Sequence, residues 1–153
     1  MRPRRLLLIG LYLAMLSAVT ACEAQPTVTV LTRSGELAFQ VEIADTSAKR
    51  IMGLQYRREL APDRGMLFLF PVEETQTFWM KNTPIPLDMI FIDHDLRIVG
   101  IVEHTVPFSL ESRSVGVPSQ FVLEINGGLA KRYGIQAGDR VRFDGIVTEG
   151  VTE

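Results

Sequence analysis

The sequence predicts a mostly-β domain of the α+β class: a small closed β-barrel or a strongly curved antiparallel sheet with two short helices. Three observations lead there. Leu37, Phe39, Val41 and Ile43 alternate with Ala38, Gln40, Glu42 and Ala44, and Phe121, Leu123 and Ile125 alternate with Val122 and Glu124. A period of two is the mark of a strand. Met66 to Phe70 is an unbroken apolar run of strand length between a Pro62–Gly65 turn and Pro71, the pattern of a strand covered on both faces. Turn residues recur at short intervals in a chain of 153 residues, and closing the sheet removes edges that so small a domain would otherwise expose.

The elements follow in order. Val28 to Arg33 reads as a strand and Ser34–Gly35 as a turn into the Leu37–Ala44 strand. Asp45 or Thr46 can cap a short helix reaching Gln55, with Ala48, Ile51, Met52 and Gln55 on one face. Tyr56 to Glu59 is a charged connector, and Pro71 is expected to stop the strand that begins near Met66. Thr77 to Lys81 reads as a strand with Thr77, Trp79 and Lys81 on one face and Phe78 and Met80 on the other. Asn82 to Pro86 must be irregular, because two prolines lack an N–H and restrict the residues before them. Asp88 to Asp93 and Arg97 to Glu103 form a hairpin around His94–Asp95, and Pro107 to Pro118 is a long loop. Gln120 to Asn126 is a strand, Leu129 to Tyr133 a helix capped by Gly134, and Gly138–Asp139 a turn into Val141 and Phe143. The segment 144–153 reads as a last short strand or a tail. The count is seven or eight strands.

The N-terminus has a different character. Arg2, Arg4 and Arg5 precede Leu6 to Val19, an uncharged apolar run of 14 residues, short of the ~20 that a membrane-spanning helix needs. Val19–Thr20–Ala21–Cys22 reads as a lipobox, so residues 1–21 are expected to be a lipoprotein signal peptide and Cys22 the lipid attachment site. Residues 22–27 are then a tether, 28–147 a single domain, and 148–153 a tail. The expected address is the cell envelope: an exported protein anchored by lipid, facing the periplasm or the outside. The plainer alternative is an ordinary secretory signal cut near Ala24. Losing three of the 16 basic residues with the signal leaves 13 against 18 acidic ones, a net charge of −5. That balance argues against nucleic acid as a partner. Cys22 is the only cysteine, so an acylated chain has no thiol for catalysis or internal disulfides.

Thr77 to Asp93 concentrates the candidate chemistry. Trp79, the single tryptophan, offers a flat apolar wall; Lys81 can neutralise an anion, Asn82 and Thr83 can hydrogen-bond, and Asp88 can hold Lys81 or a ligand hydroxyl. Together they suit a sugar-like or amphipathic ligand. The plainer reading has Trp79 filling the barrel end, Asn82 and Thr83 bonding the turn, and Lys81 pairing with Asp88. Arg57, with Arg58 and Arg113, is a weaker candidate for an anion clamp. Glu124 is unremarkable on an outward face; on an inward one it needs a partner, or its pKa rises. Met52, Met66, Met80, Met89, His94 and His104 lack the spacing of a copper site, and no metal or cofactor is expected. The nucleophile-elbow, zinc-protease, Cys-x-x-Cys and phosphate-loop templates are absent.

These residues carry a resemblance. Gly53–Leu54, Gly65–Met66–Leu67–Phe68, Phe78–Trp79–Met80–Lys81–Asn82–Thr83, Ile85–Pro86–Leu87–Asp88–Met89, Val122–Leu123–Glu124 and Gly134–Ile135 with Gly138–Asp139 resemble domain-of-unknown-function family 192. The likeness runs from about Glu36 to Phe143. It implies a small, mostly-β fold, often exported, and brings no activity and no catalytic residue. Gln55 stands where family members often have methionine. The functional expectation is an envelope binding or accessory module with a pocket around Trp79, its partner a small ligand or another envelope protein. The alternatives are a carboxylate-based hydrolase of envelope glycans or esters, using Asp88 with Glu103 or Glu124, and a structural lipoprotein bracing an assembly.

Overall fold

The computed structural model describes residues 25–152. The expected signal segment, Cys22 and Glu153 lie outside them. Seven strands, β1 (Thr27–Thr32), β2 (Gly35–Ala44), β3 (Arg64–Glu74), β4 (Leu87–Ile92), β5 (Ile98–Val102), β6 (Ser119–Asn126) and β7 (Arg140–Asp144), make one sheet in the order β5-β4-β6-β3-β2-β1-β7. Helices α1 (Ser47–Met52) and α2 (Leu129–Tyr133) follow β2 and β6. The sheet curls until its edges touch at one end. There Arg97 bridges to Arg140, and the Ile98 and Val141 N–H groups donate to Asp139 O and Leu96 O, each at 2.9 Å. The result is a half-barrel. One pair departs from the antiparallel rule: β2 and β3 run parallel, Gln40 opposite Arg64 through Ala44 opposite Phe68, joined by a crossover that contains α1.

Two apolar clusters lie on the two faces. One draws residues from every strand, among them Val30, Phe39, Leu67, Ile90, Ile98, Leu123 and Val141, with Leu129 and Ala130 of α2; this is the interior of the curl. The other holds Met66, Phe68, Met89, Phe91 and Val122 from β3, β4 and β6, covered by Leu54, Met80 and Phe78 from the connecting segments. Strands β3, β4 and β6 are therefore buried on both sides, which explains the unbroken Met66–Phe70 run.

Local chemistry sets the remaining boundaries. Thr46 caps α1, its hydroxyl accepting from Lys49 N at 3.4 Å, and Gly53 at φ 47° ends the helix after six residues, before Gln55. Gly134, left-handed at φ 68°, closes α2, and Asp139 accepts from the Gln136 N–H at 3.0 Å. Two expectations are corrected, and of the two alternatives for the C-terminal segment the described residues show no strand. Pro71 does not stop β3, which runs on to Glu74; Pro71 falls where the β3–β6 register slips, and no ladder N–H is needed there. Thr77–Lys81 is not a strand: only Phe78 bridges, to Arg113 of the long loop, before Asn82 turns the chain at φ 53°. Beyond Asp144 no further strand forms among the described residues; instead Thr152 bonds back to Asp45 and Arg50.

Candidate functional site

The outer face of β3 and β6 is only partly roofed. Between α1, the 77–83 segment and the 106–113 loop lies a cavity of about 440 Å³. Its walls are Met52, Leu54, Phe68, Phe70, Phe78, Trp79 and Leu110; Arg50, Gln55, Thr77, Lys81, Thr83 and Ser112 add polar groups, and Glu124 also lines it. The strand period places these side chains. Phe68 and Phe70 alternate with the interior Leu67 and Leu69, and Glu124 alternates with Leu123 and Ile125.

The roof is held by backbone hydrogen bonds. Phe78 and Arg113 exchange N–H···O bonds of 2.9 and 2.8 Å, Met80 N donates to Ser109 O at 2.9 Å, and Phe108 N donates to Thr83 O at 3.0 Å. Tyr56 N donates to Asn82 O at 2.7 Å, and the Asn82 amide donates to Gln55 Oε1 and the Tyr56 hydroxyl at 3.0 and 2.8 Å. Tyr56, Asn82 and Phe108 all have positive φ, a conformation that side chains resist. The bonds therefore hold a strained seam at the cavity mouth. Phe78 packs edge-on against Phe68, Phe70 and Phe91, with centroids 5.0–6.2 Å apart. Trp79 is 51% exposed at the mouth, and the Lys81 ammonium lies 5.3 Å from its ring centroid.

Glu124 is 4% exposed, and its carboxyl has no hydrogen-bond partner among the described residues; the fully enclosed side-chain oxygen without a partner among them is Ser119 Oγ, so the Glu124 carboxyl opens onto the cavity. Its neighbours across the strands are Met66 and Met89. Burial alone pushes its pKa to about 8, because the low-dielectric surroundings disfavour the charged form. It is the one acid among the residues lining the cavity.

Of the residues singled out from sequence, Trp79, Lys81 and Thr83 line the cavity and Asn82 braces its rim. Thr83 is largely committed, its hydroxyl donating to Lys81 O at 3.1 Å. Asp88 is elsewhere. It is fully buried on the opposite face of β4, where Oδ1 accepts from His104 N (2.7 Å) and Gly128 N (2.9 Å) and Oδ2 from Ala130 N (2.7 Å). Among the described residues it pairs with no lysine, and it does not line the cavity. Arg57 forms a two-pronged pair with Glu42, and Arg113 binds Glu111 at 2.7 Å and Ser109 Oγ at 3.1 Å, so no clamp assembles. The Asp88–Glu124 dyad does not assemble. Asp88 stands opposite Ile125 and Glu124 opposite Met89, so these two acids leave opposite faces of the ladder, and Glu103 is not at the cavity. Sequence reasoning missed Arg50, Leu54, Phe68 and Leu110 as lining residues. Only the outward phase of Phe68 and Phe70 hinted at them.

The DUF192 family model, described as uncharacterized ACR, matches residues 29–143. A Novosphingobium aromaticivorans protein of unknown function, known as a crystal structure, is 46% identical. It superposes with a TM-score of 0.74 over 76% of this chain and 83% of its own. A Sinorhizobium meliloti protein provisionally described as a transcription regulator is 42% identical, with a TM-score of 0.75 over 81% of this chain and 97% of its own. The UPF0127 protein PF1050 of Pyrococcus furiosus is 23% identical over 123 residues, 76% of this chain and 97% of that protein.

Proposed function

Since this chain belongs to the DUF192 family, whose description assigns a domain and no activity, we propose that it is an exported, lipid-anchored binding module of the cell envelope. The cavity under Trp79 takes a small amphipathic ligand. One observation carries the reading: an unpartnered, buried Glu124 at a cavity whose walls are mostly apolar. A carboxyl on a residue only 4% exposed, with no partner among the described residues, costs the fold stability, and such groups recur where a ligand supplies the missing partner. The seam of strained residues at the mouth supports it, since backbone strain gathers at binding sites. The anchor rests on the pattern of residues 1–21 and on Cys22. The charge of −5 that cleavage before Cys22 leaves opposes nucleic acid as a partner, and with it a transcription-regulator role like the one described for the Sinorhizobium relative.

Trp79 reports on the cavity it borders. Titrating the chain from Gln25 onward with cell-wall fragments, sugars, amines and acidic lipids should change its fluorescence saturably with one class. A spectrum that none of them alters would sink the pocket. In cells, Cys22→Ser should release the protein from membranes; unchanged retention would remove the anchor and leave the pocket reading intact.

A second reading has a specific observation of its own. Ile51, Met52, Tyr56, Val106, Phe108 and Leu110 are each more than half exposed around the same mouth, as on a protein-docking surface. Co-purification of a stoichiometric partner from membranes, lost on Phe108→Ser, would favour it over a small ligand.

A further inference from the structure

We propose that the cavity takes the ammonium end of its ligand, a primary amine or quaternary ammonium, with Glu124 as the counter-charge and the aromatic walls around the apolar part. The inference rests on the binding-module reading and names the ligand class for that same site.

Two observations converge. Glu124 is the one acid lining the cavity, nine-tenths buried and unpartnered among the described residues. A cation is the partner that allows it to ionise where it stands. Four of the lining residues are aromatic: Phe68, Phe70, Phe78 and Trp79. Aromatic rings with an acid nearby are the chemistry that recognises organic ammonium groups. Two of these rings already carry cations of the chain itself, the Lys81 ammonium 5.3 Å from the Trp79 centroid and the Arg50 guanidinium 5.3 Å from that of Phe70; their charge opposes a ligand ammonium, so Glu124 is the group that must favour one.

Arg50 and Lys81 are the charged groups that face Glu124's cavity, from α1 and from the 77–83 segment. Asp88 projects from the other face of the sheet and does not contribute. Arg50 is tied down by Leu69 O at 2.9 Å and Thr152 O at 2.8 Å. Lys81 is exposed at the mouth, so the outer end of the ligand is best oxygen-rich or anionic.

The binding step balances in charge. With its pKa near 8, the empty site holds a protonated Glu124 at neutral pH. When the ammonium docks, the carboxyl proton leaves to buffer and a carboxylate–ammonium pair remains. Affinity for an ammonium should therefore rise as pH climbs, by up to about tenfold per unit, and level off above about pH 8. A neutral acceptor that takes a hydrogen bond from the protonated acid should show the reverse.

The test is calorimetry on the mature protein, with matched probes: phenethylamine and benzyltrimethylammonium as cations, 2-phenylethanol as the neutral isostere, and 3-phenylpropionate as the anion. Titrations in two buffers of different ionisation heat count the protons released. The expected result is saturable binding of the cations, at least about tenfold tighter than the isosteres, with about one proton released per ligand at neutral pH. Glu124→Gln should abolish that preference and the proton release while still melting in one cooperative transition. The inference is overturned if the alcohol or the acid binds as well as the amine, or if Glu124→Gln binds the amine as the parent does. Either result leaves the binding-module reading in place. Silence from every probe, and from the wider Trp79 titration, overturns both.

Discussion

On the β4–β6 ladder Asp88 stands opposite Ile125 and Glu124 opposite Met89, so two buried acids leave the same pair of strands toward opposite faces. Inside the curl, Asp88 accepts three backbone N–H groups, from His104, Gly128 and Ala130, and so ties a loop, a turn and the start of α2 to β4. Outside it, Glu124 has two methionines as cross-strand neighbours and no hydrogen-bond partner among the described residues. A buried polar group that is fully satisfied specifies structure, whereas one left open costs stability and is kept only for some other use. By that measure the inner face is architecture and the outer face is the candidate site.

The largest effect should come from breaking the satisfied side. Asp88→Ala strips the acceptors from three N–H groups, one of them fully buried at Ala130, and should cost roughly 4–6 kcal/mol. Asp88→Asn keeps one acceptor oxygen and should cost less. Urea denaturation of both variants measures this. A loss under about 2 kcal/mol for the alanine would mean the three bonds do not organise the fold.

Next comes the pH dependence of the open side. The Glu124 pKa is raised from 4.5 to about 8. Below the lower value folded and unfolded chains both hold the proton, and this contribution to stability is fully present. Between the two values only the folded chain holds it, so stability falls as pH rises, by at most about 1.4 kcal/mol per unit, and it levels off above about pH 8. Across that window the loss should be roughly 3–5 kcal/mol. Glu124→Gln should flatten that part of the profile, and Glu124→Leu should be more stable than the parent at about pH 8. A parent and a glutamine variant with parallel pH profiles would mean Glu124 has a partner after all.

Why the two acids could not be told apart in the sequence is a matter of pattern. A strand with one wet face announces its phase, as Leu37 to Ala44 does, and that element was legible. In Leu87–Ile92 every residue is buried, so hydrophobicity no longer alternates and a lone Asp88 carries no sign of its face. Phase then depends on which residue lies across the ladder, a tertiary fact. The parallel β2–β3 pair is equally long-range, since nothing local distinguishes its crossover from a loop followed by a hairpin. Trp79, Lys81 and Thr83 were legible as a cluster because neighbours in sequence stay neighbours in space. Arg50, Phe68 and Leu110 reach the same cavity from three other segments, and no spacing rule links them. The alternation read at Thr77–Lys81 was right about sides, with Met80 fully buried and Trp79 half exposed, although the segment is not a strand.

Gly65 tests whether the two faces are mechanically joined. It lies opposite Ile125, and a Cβ built on it would sit 2.6 Å from the Glu124 carbonyl oxygen. Gly65→Ala must therefore push β3 away from β6 just where Glu124 is held, at a cost of about 1–3 kcal/mol. If the cavity is rigidly built on this ladder, the variant should also weaken ammonium binding. Lost stability with intact binding would show that the outer face tolerates movement of the inner one.

The smallest effect on stability is the most informative about function. Trp79 is half exposed, and its ring meets Lys81 at the mouth of the cavity rather than the core. Trp79→Ala should therefore cost under about 1 kcal/mol, in contrast with Asp88→Ala, yet remove a wall of the site and weaken cation binding by about tenfold or more, read by calorimetry. The two readouts separate the faces. A residue of the architecture lowers stability and binding together, because the fold that presents the site is lost. A residue of the site lowers binding alone. If Trp79→Ala instead costs more than about 2 kcal/mol, the indole is packing rather than a ligand wall. The Thr77–Thr83 segment would then be a structural lid, and the docking surface around Phe108 and Leu110 would become the stronger candidate.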